Sequence, residues 1–118
     1  MQIEIIKTDI TRLDVDAIVN AANSALQRGG GVCGAIHAAA GPRLARLCEE
    51  MGPCATGAAV ATPAFDLPCR YVIHAVGPVW GSGNEEDKLG SAVQSALALA
   101  ETYHLQSISI PGISSGIF

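Results

Sequence analysis

With 118 residues, 49% of them hydrophobic and 15% charged, the chain has the make-up of one globular domain with an aliphatic core, not of a disordered segment. Its net charge of −4, with basic residues scattered along the sequence, argues against broad binding to a nucleic-acid polymer but is compatible with a small anion held by backbone amides. No apolar run reaches membrane-spanning length and no basic-then-apolar leader opens the chain, so the cytoplasm is the default expectation.

Gln2 to Lys7 alternates apolar and polar residues and reads as a strand, which Thr8-Asp9-Ile10-Thr11 then leaves. Val15 to Ala22 is the apolar run of a strand buried on both faces, ending at Asn23. Past a run of three glycines, Gly34 to Ala40 reads as a short Ala-rich helix stopped by Gly41-Pro42. Proline suits the first turn of a second helix, whose Leu44, Leu47, Cys48 and Met51 share one face before Gly52-Pro53 ends it. Gly57 to Thr62 and Arg70 to Val76 are two further strands. Asn84 is placed to cap a long helix that begins Glu85-Glu86-Asp87, where the dipole favours carboxylates. Leu89, Val93, Ala96, Leu97 and Ala100 form its expected apolar face. Gln106 to Ile110 is a last strand, followed by a Gly- and Ser-rich loop. Strands alternating with helices predict an α/β layered sheet. The chain stops in that loop with no covering helix after it, so the expectation is a domain truncated on its C-terminal side.

The run Asn23 to His37, with Gly29-Gly30-Gly31 between strand and helix, carries the most chemistry. Consecutive glycines permit positive φ and close approach of a ligand, and the amides opening the next helix favour negative charge. Gly29-x-Gly31-x-x-Gly34 also satisfies the dinucleotide pattern G-x-G-x-x-G. A Rossmann site needs its first glycine directly after the strand and an acid about twenty residues on. Here Asn23 to Arg28 intervene and Glu49-Glu50 fall on a helix, so that reading ranks low. No Gly-Lys-Ser/Thr follows the glycines, which excludes a P-loop. Cys33, Cys48, Cys54 and Cys69 form no C-x-x-C pair and are expected as free thiols. Cys33 and His37 share a helical face but are too few for a metal, so neither metal nor cofactor is expected. His74, inside an apolar strand, reads as a satisfied core histidine, as does His37, and Asn20 as a structural residue of the strand-to-loop turn.

Seven stretches in register resemble the macro domain family of ADP-ribose-binding modules, which includes the MacroD-type hydrolases. They are Asp9-Ile10-Thr11, Asp16 to Asn23, Gly29 to His37, Ala39 to Pro42, Cys54 to Ala59, Val72 to Trp80 and Ser109 to Phe118. The resemblance implies a three-layer α/β/α sandwich with a mixed sheet, here a single domain over residues 1–118 that lacks the family's last strand and helices. It also implies Asp9 on the adenine amino group with the Ile10 amide beside it. Gly30, Gly31 and Val32 would line one side of the diphosphate and distal ribose. The amides of Ser114, Ser115, Gly116 and Ile117 would close the other, with Phe118 packed on the ribose. Asn23 falls where the family places an amide on the distal ribose; residue preference alone reads it as a loop cap.

Three departures stand out. Cys33 occupies the position where MacroD-type hydrolases carry an aspartate, and a neutral thiol is a poor acceptor and weak base. Some viral macro domains, a group that includes hydrolases, similarly read Gly-Val-Cys here. Gln27-Arg28 replaces smaller residues, with Arg28 either reaching the phosphates or facing solvent. The third is the missing C-terminal portion. The expected function is hydrolysis of ADP-ribose from modified proteins or of O-acetyl-ADP-ribose, with Asn23 and Cys33 at the chemistry. The alternative is a reader that binds ADP-ribose without turnover. ADP-ribose or an ADP-ribosylated protein is the expected partner, without membrane or nucleic-acid polymer.

Overall fold

The computed structural model of the chain describes residues 2–6, 9–78, 81 and 83–111. Five strands form one sheet in the order β1-β5-β2-β4-β3: β1 (Gln2–Ile6), β2 (Ala17–Ala22), β3 (Ala59–Pro63), β4 (Tyr71–Val76) and β5 (Ser107–Pro111). β1 with β5, β5 with β2 and β2 with β4 are parallel, whereas β3 runs antiparallel to β4, so the sheet is mixed. Helices α1 (Gly31–Ala40) and α2 (Pro42–Met51) lie between β2 and β3 in the chain, and α3 (Glu85–Thr102) between β4 and β5. Among the described residues no helix is long and apolar enough to cross a membrane.

Strand alternation divides the core in two. Ile18, Ala22, Val72 and Val76 join Ile36, Ala40, Leu44 and Cys48 of α1 and α2 in one cluster. Ala17, Val19, Ile73 and Ala75 join Ala92, Ala96 and Ala100 of α3 in the other. The result is the α/β/α sandwich. α2 buries Leu44 and Cys48 as its apolar spacing requires. The buried stripe of α3 is Ala92-Ala96-Ala100, with Val93 and Leu97 only half-buried, so its face is rotated from the predicted one. Small side chains let this helix lie close to β3 and β4. Ser91 and Ser95 reinforce the contact by donating to the Gly57 carbonyl at 3.0 and 2.8 Å.

The other element corrections have local causes. α1 begins at Gly31 rather than Gly34, because the first helical positions need no intrahelical bond and so tolerate glycine. β3 begins at Ala59 rather than Gly57, whose φ of +90° belongs to a turn. Asn84 precedes α3 but adopts φ 55° and makes no side-chain cap; the Glu85 carboxylate instead accepts from the Gly81 and Gly83 amides at 2.8 and 3.1 Å.

At the N-terminal end of the sheet, Asp16 ties three strands together. Its carboxylate accepts from the Gln106 and Ser107 amides at 2.6 and 3.3 Å, and its carbonyl from the Arg70 and Tyr71 amides at 3.1 and 3.0 Å. At the opposite end, β2 feeds α1 on one face while its neighbour β4 feeds α3 on the other. Where neighbouring parallel strands part to opposite faces, their C-terminal ends open into a crevice. The glycine run sits on that end.

Candidate functional site

The site is built on the loop between β2 and α1. The Asn23 carbonyl accepts from the Leu26 amide at 2.9 Å, and the Asn23 side chain closes the turn twice. Its Oδ1 accepts from the Gln27 amide at 3.0 Å and its Nδ2 donates to the Gln27 carbonyl at 2.8 Å. Leu26 is buried and sits at φ +57°, a left-handed conformation unusual for leucine that these bonds and its burial hold in place. Asn23 therefore does cap the loop, and with two amide hydrogens it retains one N–H for another acceptor.

The glycines differ in why they are glycine. A Cβ on Gly34 would run into the Gly29 carbonyl oxygen, so packing requires glycine there. Gly31 opens α1 at φ +58°, a conformation that favours glycine. At Gly30, the N-cap, φ is −88° and no described residue lies within 4 Å of an added Cβ. Neither packing against the described residues nor conformation demands glycine at Gly30, and the space beside it is open to a ligand. No side chain caps α1. The amides of Gly31, Val32 and Cys33 occupy its first three positions, which have no intrahelical acceptor, and they carry the positive end of the helix dipole. Val32 is exposed beside them.

Cys33 turns inward and is 6% exposed. Its thiol donates to the Gln27 carbonyl at 3.6 Å and its sulfur accepts from Asn20 Nδ2 at 3.7 Å. Asn20 lies within the sheet rather than in the turn: its Nδ2 is 3.0 Å from His74 Nδ1, whose Nε2 is 2.9 Å from Thr62 Oγ1. His74 is thus the satisfied core histidine expected, and burial pushes its pKa down to about 4. His37 is buried as well, but its Nδ1 has no partner among the described residues, a correction to the satisfied reading. Burial, with Arg28 a smaller cause, lowers its pKa.

Asp9 and Ile10 start the short 3-10 turn after β1. The Asp9 carboxylate caps that turn, accepting from the Thr11 amide at 3.0 Å and pairing with Arg12 at 3.3 Å. The Thr11 hydroxyl, then its amide, lowers the Asp9 pKa, so it stays an anion and an acceptor. Ile10 is buried against the α1 cluster. Arg28 lines a cavity of about 400 Å³ with Gln27, Ala45 and Glu49, between the loop and α2; Gly29, Gly30 and Gly31 are not among its walls. All four cysteines are free and buried, and the described residues hold no cluster of three metal-binding side chains. Ser114, Ser115, Gly116, Ile117 and Phe118 lie outside the described residues.

A three-layer sandwich carrying a glycine-rich helix start at its strand ends defines a layered α/β domain with a parallel-strand crevice. The Macro domain family profile matches residues 19–118, and the chain belongs to that family. It is 53% identical over 118 residues to the Macro domain-containing protein CT2219 of Chlorobaculum tepidum, covering 98% of this chain and 69% of the relative. It is 51% identical over 123 residues to an O-acetyl-ADP-ribose deacetylase of Salmonella gallinarum, covering 99% and 69%. The Oceanobacillus iheyensis macrodomain, solved with ADP, superposes with a TM-score of 0.90 at 44% identity. That match covers 98% of this chain and 65% of the solved one, so the chain spans just under two thirds of that neighbour's length.

Proposed function

We propose that this macro domain binds ADP-ribose and hydrolyses it from modified proteins or, as the name of its Salmonella relative describes, deacetylates O-acetyl-ADP-ribose. The observation that carries the binding reading is the open surface at Gly30, among the described residues, beside the three amides that open α1 and have no intrahelical acceptor. Amide bonds to a charged phosphate are worth roughly 1.5–3 kcal/mol each, so a few hold a diphosphate without any lysine. Asp9 accepts from the adenine amine, and the Ile10 amide lies beside it. Ser114, Ser115, Gly116, Ile117 and Phe118 close the far side. The spare N–H of Asn23 meets a hydroxyl of the distal ribose, next to the bond that breaks. The Oceanobacillus macrodomain solved with ADP, and a mutant of it solved with ADPR, support the ligand class.

Titration calorimetry with ADP-ribose, using NAD and ATP as controls, tests the binding. Saturation selective for ADP-ribose is expected, and its absence in a folded chain overturns the reading. A second reading, binding without turnover, is favoured by one observation: the Cys33 thiol is buried and spends its proton on the Gln27 carbonyl, and a neutral thiol is a weak base. Release of ADP-ribose from a modified protein decides between them. For a hydrolase, Asn23→Ala slows release more than it weakens binding, and Cys33→Asp gives no gain. For a reader, release is absent in the natural chain and appears with Cys33→Asp.

A further inference from the structure

Thr62, His74, Asn20 and Cys33 form one line of polar contacts running from β3 across β4 and β2 to α1. All four are buried, on the face of the sheet that otherwise packs aliphatic residues against α1 and α2. Asn20 and His74 are register partners on the parallel strands β2 and β4. Thr62 is displaced from His74 by two residues on β3, where Val60 is the register partner of His74. With the Asn20 amide nitrogen at 3.0 Å from Nδ1, that nitrogen accepts, and the ring proton sits on Nε2, which donates to Thr62 Oγ1 at 2.9 Å. The neutral ring that burial enforces is the form able to do both.

Packing does not account for this line. Aliphatic side chains would fill the layer with no polar group to desolvate, and the line leaves Asn20 Oδ1 buried without a partner among the described residues. Its end point does account for it. The Asn20 amide also donates to Cys33 Sγ, and Cys33 donates to the Gln27 carbonyl, the same oxygen that accepts from Asn23 Nδ2. We propose that Thr62 and His74 are positioning residues for the loop that carries Asn23 and Cys33. Thr62 fixes the imidazole, the imidazole fixes the Asn20 amide, and the amide sets the sulfur that holds the Gln27 carbonyl. This rests on the reading that ligand chemistry takes place at that loop.

The test compares Thr62→Val with Thr62→Ser in the full chain. Valine keeps the shape and removes the acceptor; serine restores it. Amide NMR spectra report the Asn20 side chain and the backbone from Gln27 to Cys33, and ADP-ribose release gives kcat and KM. Thr62→Val is expected to displace those signals and lower kcat at least tenfold with KM within threefold, and Thr62→Ser to restore both. Signal changes confined to β3 and β4, or kcat within twofold of the natural chain, overturn the proposal. Should Thr62→Val not fold, a through-bond coupling between Asn20 Nδ2 and His74 Nδ1 in the natural protein supports the line, and its absence overturns it. If the natural chain neither binds nor releases ADP-ribose, the functional reading falls, while the spectra still decide the positioning claim.

Discussion

Replacing Gly34 by alanine sets two opposed effects against each other. Alanine gains about 1 kcal/mol over glycine inside a helix, and Gly34 is the fourth residue of α1. The added methyl, however, overlaps the Gly29 carbonyl oxygen, a backbone atom with no rotamer to escape into. Overpacking of this kind costs about 1–3 kcal/mol, and the rigid neighbour puts it at the upper end. The expected net loss is about 2 kcal/mol, or roughly 8 °C in Tm for a domain of this size. Moving Gly29 also disturbs Asn23, whose Nδ2 lies 3.5 Å from the position of a Gly29 Cβ. ADP-ribose affinity should therefore fall at least tenfold. Thermal unfolding by circular dichroism reads the first effect and calorimetry the second. A Gly34→Ala chain with an unchanged or higher Tm would show that helix propensity wins and refute the crowding argument.

Gly30→Ala should behave in the opposite way: at φ −88° with open space around it, alanine leaves Tm within a few degrees, while ADP-ribose affinity measured by calorimetry drops about tenfold. Because the folded His74 pKa is depressed to about 4 from 6.5, the unfolded chain takes up a proton that the fold refuses. Stability is complete above pH 6.5 and declines toward pH 4 by up to about 3 kcal/mol. Urea unfolding across that range reads the decline, which His74→Gln should reduce, leaving the part due to buried His37. Leu44→Ala, at a fully buried position of α2, should cost about 3 kcal/mol in the same urea assay. Asp16→Ala should cost about 1 kcal/mol by removing the acceptor of the Gln106 and Ser107 amides, which water then partly replaces, with ADP-ribose affinity in the folded protein unchanged.

The layered fold was legible because the apolar runs are long and the helix stops are unambiguous: Gly41-Pro42 and Gly52-Pro53 bracket α2 almost to the residue. The start of α1 was not, since propensity counts glycine as a helix breaker although the first turn imposes little of that penalty. The α3 face departs from its hydrophobic pattern for a related reason. Hydrophobicity ranks Leu89, Val93 and Leu97 first, but close approach to the sheet selects alanine. The loop chemistry could be read from Asn23 and three glycines because it is local in sequence. The Thr62–His74–Asn20 line is not local, and its members are brought together by register. A trace of it existed: each is a polar residue at a position whose strand neighbours two away pack on the α1 side.

Asp16 also bears on how the chain reaches this structure during synthesis. Its carboxylate waits for Gln106 and Ser107, 90 and 91 positions later, and β2 lies between β4 and β5 in the finished sheet. Until β5 has left the ribosome, the long edge of the most apolar strand is open on one side, and an open Ala-Ile-Val edge is a template for pairing with other chains. The central strand is therefore made early and completed late. Conditions that slow translation beyond α3 should raise aggregation without altering the stability of the protein that does fold, which makes soluble yield and stability separable properties of this domain.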